Sequence, residues 1–198
     1  MRKIEQVYRE ILYQAMEKGK GKMTQFELSK ELGISLSVVN IALKRLNEIG
    51  AVKIEKMGFR IINLSKILYL WASLRNLQKE ILYKTRVEDN VRNIERNMPG
   101  VVYGAYSAYK LKFNDVPADY SEIYVYANDI NEIKKRFPKK EGRENLFVMK
   151  CDENLDKYGK KGSDAMIFVD LWNLKEWYAS DFLKAIEQKI NIRRLKNG

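Results

Sequence analysis

The stretch SLSVVNIALKRLNEIG, residues 35–50, decides how the N-terminal part of this chain is read. At 100° per residue Val39, Ala42, Leu43 and Leu46 gather on one face of a helix. Ser37, Ile41, Lys44 and Glu48 gather on the other, with Asn40 and Arg45 beside them. One face is built to pack and the other is left to touch something. Ser35 or Ser37 can cap this helix at its start, Gly50 can end it, and neither Gly nor Pro interrupts it.

Its neighbours narrow what that free face is for. Upstream, Thr24 can cap a short helix over residues 25–32, and Glu27 stands three residues later, as a capping box requires. Gly33, Ile34 and Ser35 then make the tight turn between two helices, which is helix-turn-helix spacing. Downstream, AVKIEK at 51–56 and FRIINL at 59–64 are two β-prone runs joined at Met57 and Gly58, where Gly can take the positive φ of a hairpin turn. With LSKELGIS at 28–35, ALKRLNEIG at 42–50 and this hairpin, residues 3–64 resemble a winged helix-turn-helix DNA-binding domain. In the docking typical of that module the second helix enters the major groove of double-stranded DNA. The resemblance therefore implies base contacts from Ser35, Ser37, Asn40 and Ile41, with Asn40 suited to an adenine edge and Ile41 to a thymine methyl. Lys44 and Arg45 would hold phosphates, and Lys53, Lys56 and Arg60 on the wing would meet the backbone or the adjacent minor groove. The rival reading is a small helical core whose hairpin binds no nucleic acid, or holds another protein.

Composition bounds the rest. The net charge is +11, and residues 1–86 carry +9 of it. A solvated Lys-rich surface would give the same total. The location of the excess on the helix-turn-helix half is what points to phosphate, since each neutralised phosphate releases counterions. Cys151 is the only cysteine and there is no histidine, so an intrachain disulfide, a Cys/His zinc site and a His-dependent triad are excluded by inventory. A carboxylate-bound magnesium remains open, although the reading adopted here needs no cofactor. No run of eighteen apolar residues exists, and the charged start MRKIE leads into no apolar signal segment, so a soluble cytoplasmic protein without membrane contact is expected.

Along the chain, residues 4–18 read as a first helix, broken by GKGK at 19–22, whose lysines can reach phosphate or simply solvate a loop. Ser65 reads as the cap of a connecting helix over residues 65–84, with Ile67, Leu70, Trp71, Leu74 and Ile81 at three- and four-residue steps. That stripe needs a partner, either the rest of the chain or its own copy in a homodimer. From residue 85 to 198 helices alternate with apolar runs. Helices are expected over 87–97, 105–113 and 131–137, strands at 101–103, 121–127, 146–149 and 166–169, and a closing helix over 171–194 that holds the basic tail Arg193, Arg194 and Lys196. The fold class expected is α+β: an N-terminal winged helix-turn-helix (1–64), the connecting helix, and a C-terminal α/β domain with a small mixed sheet that senses an effector or a protein partner.

Within that second part, Tyr103-Gly104-Ala105, a helix, and then DYSEIYV at 119–125 resemble the entry of nucleotidyltransferase domains, where a Gly-Ser turn holds phosphates and two acids on one strand hold magnesium. Ala105 stands where Ser is expected and Tyr124 where the second acid is expected opposite Glu122, while Asp170 could supply a third acid from the end of a later strand. Over the whole chain, the winged helix followed by GAYSAY at 104–109 and a strand is similar to the AbiEi-like antitoxins of type IV toxin–antitoxin systems and related regulators. That similarity implies an autorepressor whose second domain keeps a nucleotidyltransferase-like fold without the activity. The alternatives are a metal-dependent nucleotidyltransferase with a nucleic-acid-binding arm, using Glu122 and Asp170, and a winged-helix subunit that binds protein. The many tyrosines, Tyr103, Tyr106, Tyr109, Tyr120, Tyr124 and Tyr126, fit core packing better than a nucleobase pocket.

Overall fold

The computed structural model describes residues 1–190. The basic tail and the last turn of the expected closing helix lie outside them. The chain divides into two units, one of Met1–Arg75 with Ser163–Ala165 and the described residues from 187 on, the other of Asn76–Gly162 and Met166–Ile186. Among the described residues no helix is long and apolar enough to cross a membrane.

The first unit runs α1 (Lys3–Met16), β1 (Lys22–Met23), α2 (Gln25–Leu32), α3 (Leu36–Glu48), β2 (Val52–Glu55), β3 (Gly58–Ile61) and α4 (Leu64–Leu74). Its starts and stops follow local chemistry. The Thr24 hydroxyl accepts from Glu27 N at 3.0 Å while the Glu27 carboxylate accepts from Thr24 N at 2.8 Å, and this reciprocal cap holds the Glu27 carboxyl below the usual carboxylate range. Gly33 ends α2 at φ +62, and the turn is tied by Ile34 N to Ser29 O (3.1 Å) and Ser29 Oγ to Ile34 O (2.6 Å). Ser35 holds the cap position of α3 without a side-chain bond, and Gly50 leaves that helix at φ +66. Val7, Tyr8, Ile11 and Leu12 of α1 are buried with Leu28, Leu32, Val39, Leu43, Leu46 and Phe59, and Ile67, Leu68 and Trp71 of α4 complete the core. Into that core α1 also carries charge: Glu5 Oε2 accepts from Trp71 Nε1 and from Arg75 Nη1, both at 3.3 Å, and Glu5 Oε1 accepts from Arg2 Nε at 2.5 Å.

The strands form an antiparallel sheet in the order β1-β3-β2. β1 went unread in the sequence, where two residues carry no period. The hairpin turn is Lys56–Met57 rather than Met57–Gly58, and Gly58 pairs opposite Glu55 at φ +134. A Cβ there would stand 2.4 Å from Met23 O, so glycine is what lets β1 close onto β3.

The helix expected over 65–84 is also corrected. Asn63 caps α4 by accepting from Lys66 N, α4 stops at Leu74, and a 3-10 turn (Leu77–Glu80) leads into β4 (Ile81–Thr85). Ile81, Tyr83 and Thr85 are β-prone, and pairing with a strand more than sixty residues away overrides a helical stripe that local spacing extends through them.

The second unit continues with α5 (Val91–Arg96), β5 (Val102–Gly104), α6 (Ala105–Phe113), β6 (Ile123–Ala127), α7 (Ile130–Arg136), β7 (Leu146–Lys150), and most of α8 (Asp164–Trp172) and α9 (Ala179–Lys189). The sheet order is β4-β7-β6-β5, with β6 and β7 parallel and the other pairs antiparallel, so the sheet is mixed as expected. Ile123, Val125, Leu146 and Val148 face a core with Ile94 of α5 and Ile133 of α7. Tyr124, one residue out of phase, stacks on Phe147 at 4.8 Å and meets Tyr106 of α6, which in turn packs at 4.9 Å against Phe182 of α9. The strand expected at 166–169 lies inside α8. Met166, Ile167, Phe168 and Val169 are all buried, and a helix covered on every side shows no period by which to tell it from a central strand. The closing helix is two helices, with Asn173 Nδ2 bonding Val169 O where α8 ends.

Candidate nucleic-acid interface

Packing of Val39, Ala42, Leu43 and Leu46 leaves the opposite side of α3 in solvent. Ser35, Ser37, Asn40, Ile41, Lys44 and Arg45 are all exposed there, Ile41 at 58%. By helical angle Ser37, Ile41, Lys44 and Glu48 form the central stripe, Asn40 and Asn47 lie on one flank, and Arg45 lies on the other, near Tyr8 of α1. The structure thus brings Ser37, Ile41 and Lys44 onto one accessible strip with Asn40 on its flank, sets Arg45 on the other flank, and leaves Ser35 exposed at the cap position before the helix. Ile41 is thus an exposed apolar side chain amid polar neighbours.

Lys53 and Arg60 stand directly opposite each other in the hairpin, on the face of the sheet turned away from Phe59 and Met23, and Lys56 is at the turn. Arg60 Nε lies 3.4 Å from Glu55 Oε1, a half-exposed pair of small energetic weight. Asn47 Oδ1 accepts from Ile54 N at 3.4 Å, so the C-terminal end of α3 is tied to β2 and the two basic elements hold a common frame. The sequence gives no signal for Asn47, which looks like an ordinary surface residue; Lys22, one of the GKGK lysines open to either phosphate contact or loop solvation, lies in β1.

In the second unit the acids singled out from the sequence are occupied. Glu122 is buried, with Oε1 accepting from Ser121 Oγ at 3.0 Å and lying 3.5 Å from Arg143 Nη2, and Oε2 accepting a hydrogen bond from the Tyr178 hydroxyl. Asp170 lies on α8 and not at a strand end, and its Oδ1 accepts from the Tyr126 hydroxyl at 2.7 Å. Burial, reinforced by Glu122, pushes the Tyr178 phenol up to about 12; burial together with Glu176 and other nearby groups also raises those of Tyr106 and Tyr124. Among the described residues no group of three or more His, Cys, Asp or Glu side chains is placed to hold a metal ion. Ala105 opens α6 at φ +46, a left-handed conformation that L residues avoid, at the turn where the nucleotidyltransferase resemblance expects a Ser.

The order α1-β1-α2-α3-β2-β3, the exposed strip on α3 and the basic wing define the first unit as a winged helix-turn-helix of the DNA-binding class. Residues 9–53 match the family model for winged helix-turn-helix DNA-binding domains. No curated protein and no solved structure matches the chain.

Proposed function

We propose that this protein is a sequence-specific regulator of transcription that acts on double-stranded DNA in the cytoplasm, as a homodimer, and represses its own operon in the manner of an antitoxin. The observation that carries the reading is the strip on α3: Ser37, Asn40, Ile41 and Lys44 point to solvent together, next to a wing whose Lys53 and Arg60 share one face. Ser35, Ser37, Asn40 and Ile41 read base edges, while Lys44, Arg45, Lys53, Lys56 and Arg60 hold phosphates.

The second unit is proposed to bind a protein partner or effector and to be without enzymatic activity. GAYSAY at 104–109 opens α6 and the strand β6 follows it, which is the order on which the antitoxin resemblance rests. Tyr124 stands where the second acid is needed, and Glu122 Oε2 and Asp170 Oδ1 each accept from a phenol, which argues against a two-metal transfer site.

Selection of duplexes from a random pool by the purified protein tests the reading, with enrichment of one motif as the expected result. Absence of any duplex affinity at low salt would overturn it. Magnesium-dependent transfer from labelled nucleotides that disappears in Glu122→Ala would overturn the non-enzymatic assignment.

A further inference from the structure

The wing sheet carries a charge arrangement that the sequence hides. The register places Lys22 of β1 opposite Arg60 of β3, and Arg60 opposite Lys53 of β2, so three cations from three strands stand in one cross-strand row. Directly opposed residues project to the same side, and the neighbours Met23, Phe59 and Ile54 project to the other. All three cations are exposed. Among the described residues Arg60 has the Glu55 carboxylate at 3.4 Å, and no acid forms an ion pair with Lys22 or Lys53.

Such a row opposes folding, because like charges directly across a ladder repel. Two explanations compete for it. Lysines on edge strands discourage pairing with a foreign strand, and β1 and β2 are both edges. That accounts for Lys22 and Lys53 but not for Arg60, which lies on the central strand and faces no foreign edge. A row of polyanion contacts accounts for all three. Two strand spacings span about 10 Å, and over that length of axis one strand of a duplex presents about three phosphates.

The geometry points to the outer face of the β1-β3-β2 sheet as a phosphate-binding surface for duplex DNA, with Lys22 as a contact residue supplied from outside the recognition helix and hairpin. This rests on the DNA-binding reading above and extends its footprint to a strand between α1 and α2. Gly58 is what permits it, since the close approach at Met23 O brings Lys22 into the row.

The test is the salt dependence of duplex binding by the whole chain, wild type against Lys22→Ala and Lys22→Arg. Lys22→Ala should flatten the slope of log K against log salt by about 0.9 and weaken binding alike on all sequences, while Lys22→Arg keeps the slope. The melting temperature of Lys22→Ala should hold or rise, since the substitution relieves repulsion, and so separates lost contact from lost fold. If Lys44→Ala flattens the slope and Lys22→Ala leaves it unchanged, the sheet surface is refuted while the DNA reading stands. If the wild type shows no salt-dependent affinity for any duplex, the DNA reading itself fails and this inference falls with it. A drop in melting temperature that Lys22→Arg reproduces would make Lys22 structural and would also refute the contact.

Discussion

Asn40 and Lys44 lie one turn apart on α3, both in solvent, yet their chemistry assigns them different tasks. An amide can donate and accept toward one base edge, whereas an ammonium is a point charge that any phosphate satisfies. Asn40→Ala should therefore change the preferred sequence, with a cost of about 1–3 kcal/mol on the best site and little on the others. Lys44→Ala should weaken every duplex equally, and competition binding against a panel of sites separates the two. Equal losses on all sites for both variants would remove the distinction. A different residue carries stability. Glu5 is 2% exposed and its carboxylate receives Trp71, Arg75 and Arg2 together. Glu5→Ala leaves the Arg75 guanidinium buried without that carboxylate, so a loss of about 3–5 kcal/mol is expected in urea unfolding. None of this showed in the sequence, because an acid in the first turn of an amphipathic helix reads as surface until its partners Trp71 and Arg75, 66 and 70 residues away, are known.

At the scale of elements, the glycine beside the wing's turn is the most exposed to test. Gly58→Ala puts a Cβ 2.4 Å from Met23 O and 3.3 Å from Thr24 Cα, at a φ that alanine rarely adopts. The expected cost is on the order of 2 kcal/mol or more, with β1 amides losing hydrogen-exchange protection first. Thr24→Ala at the cap of α2 should cost about 1 kcal/mol. The helix-turn-helix was legible because its signals are local: a capping box, a left-handed Gly33, and a 3.6 period that covers all of α3. Wrong or missing elements share the opposite property. β1 is two residues long, β4 exists by virtue of β7, and α8 is buried all round, so in each case the deciding contact is remote in sequence. Five of the nine interface residues named from the sequence lie on α3, where period alone settles which side is free, and Ser35 is its cap. The cross-strand row was invisible because register is a tertiary fact.

Over the whole molecule, the two units meet changes of solution differently. Residues 1–86 carry most of the net positive charge, so duplex affinity should fall steeply with salt. The second buries phenols. Tyr178 is raised to about 12, and Tyr106, Tyr109, Tyr120 and Tyr124 are raised as well, mainly by burial. In the unfolded chain these groups release their protons near pH 10, so above that value the folded state binds more protons than the unfolded one. Stability should be flat with respect to the tyrosines below pH 10 and should decline as pH rises from 10 through about 12. Urea midpoints measured alongside phenolate absorbance check this, and tyrosines that titrate near 10 without loss of structure would contradict it. The Glu5 to Arg75 and Trp71 contacts, meanwhile, settle where the chain can be cut. An expression fragment that stopped just after the wing, at residue 64, would keep every DNA-facing side chain and yet discard the cation and the indole that neutralise and cover Glu5. Such a fragment should aggregate or melt near room temperature, and any minimal DNA-binding piece has to retain α4 through Arg75.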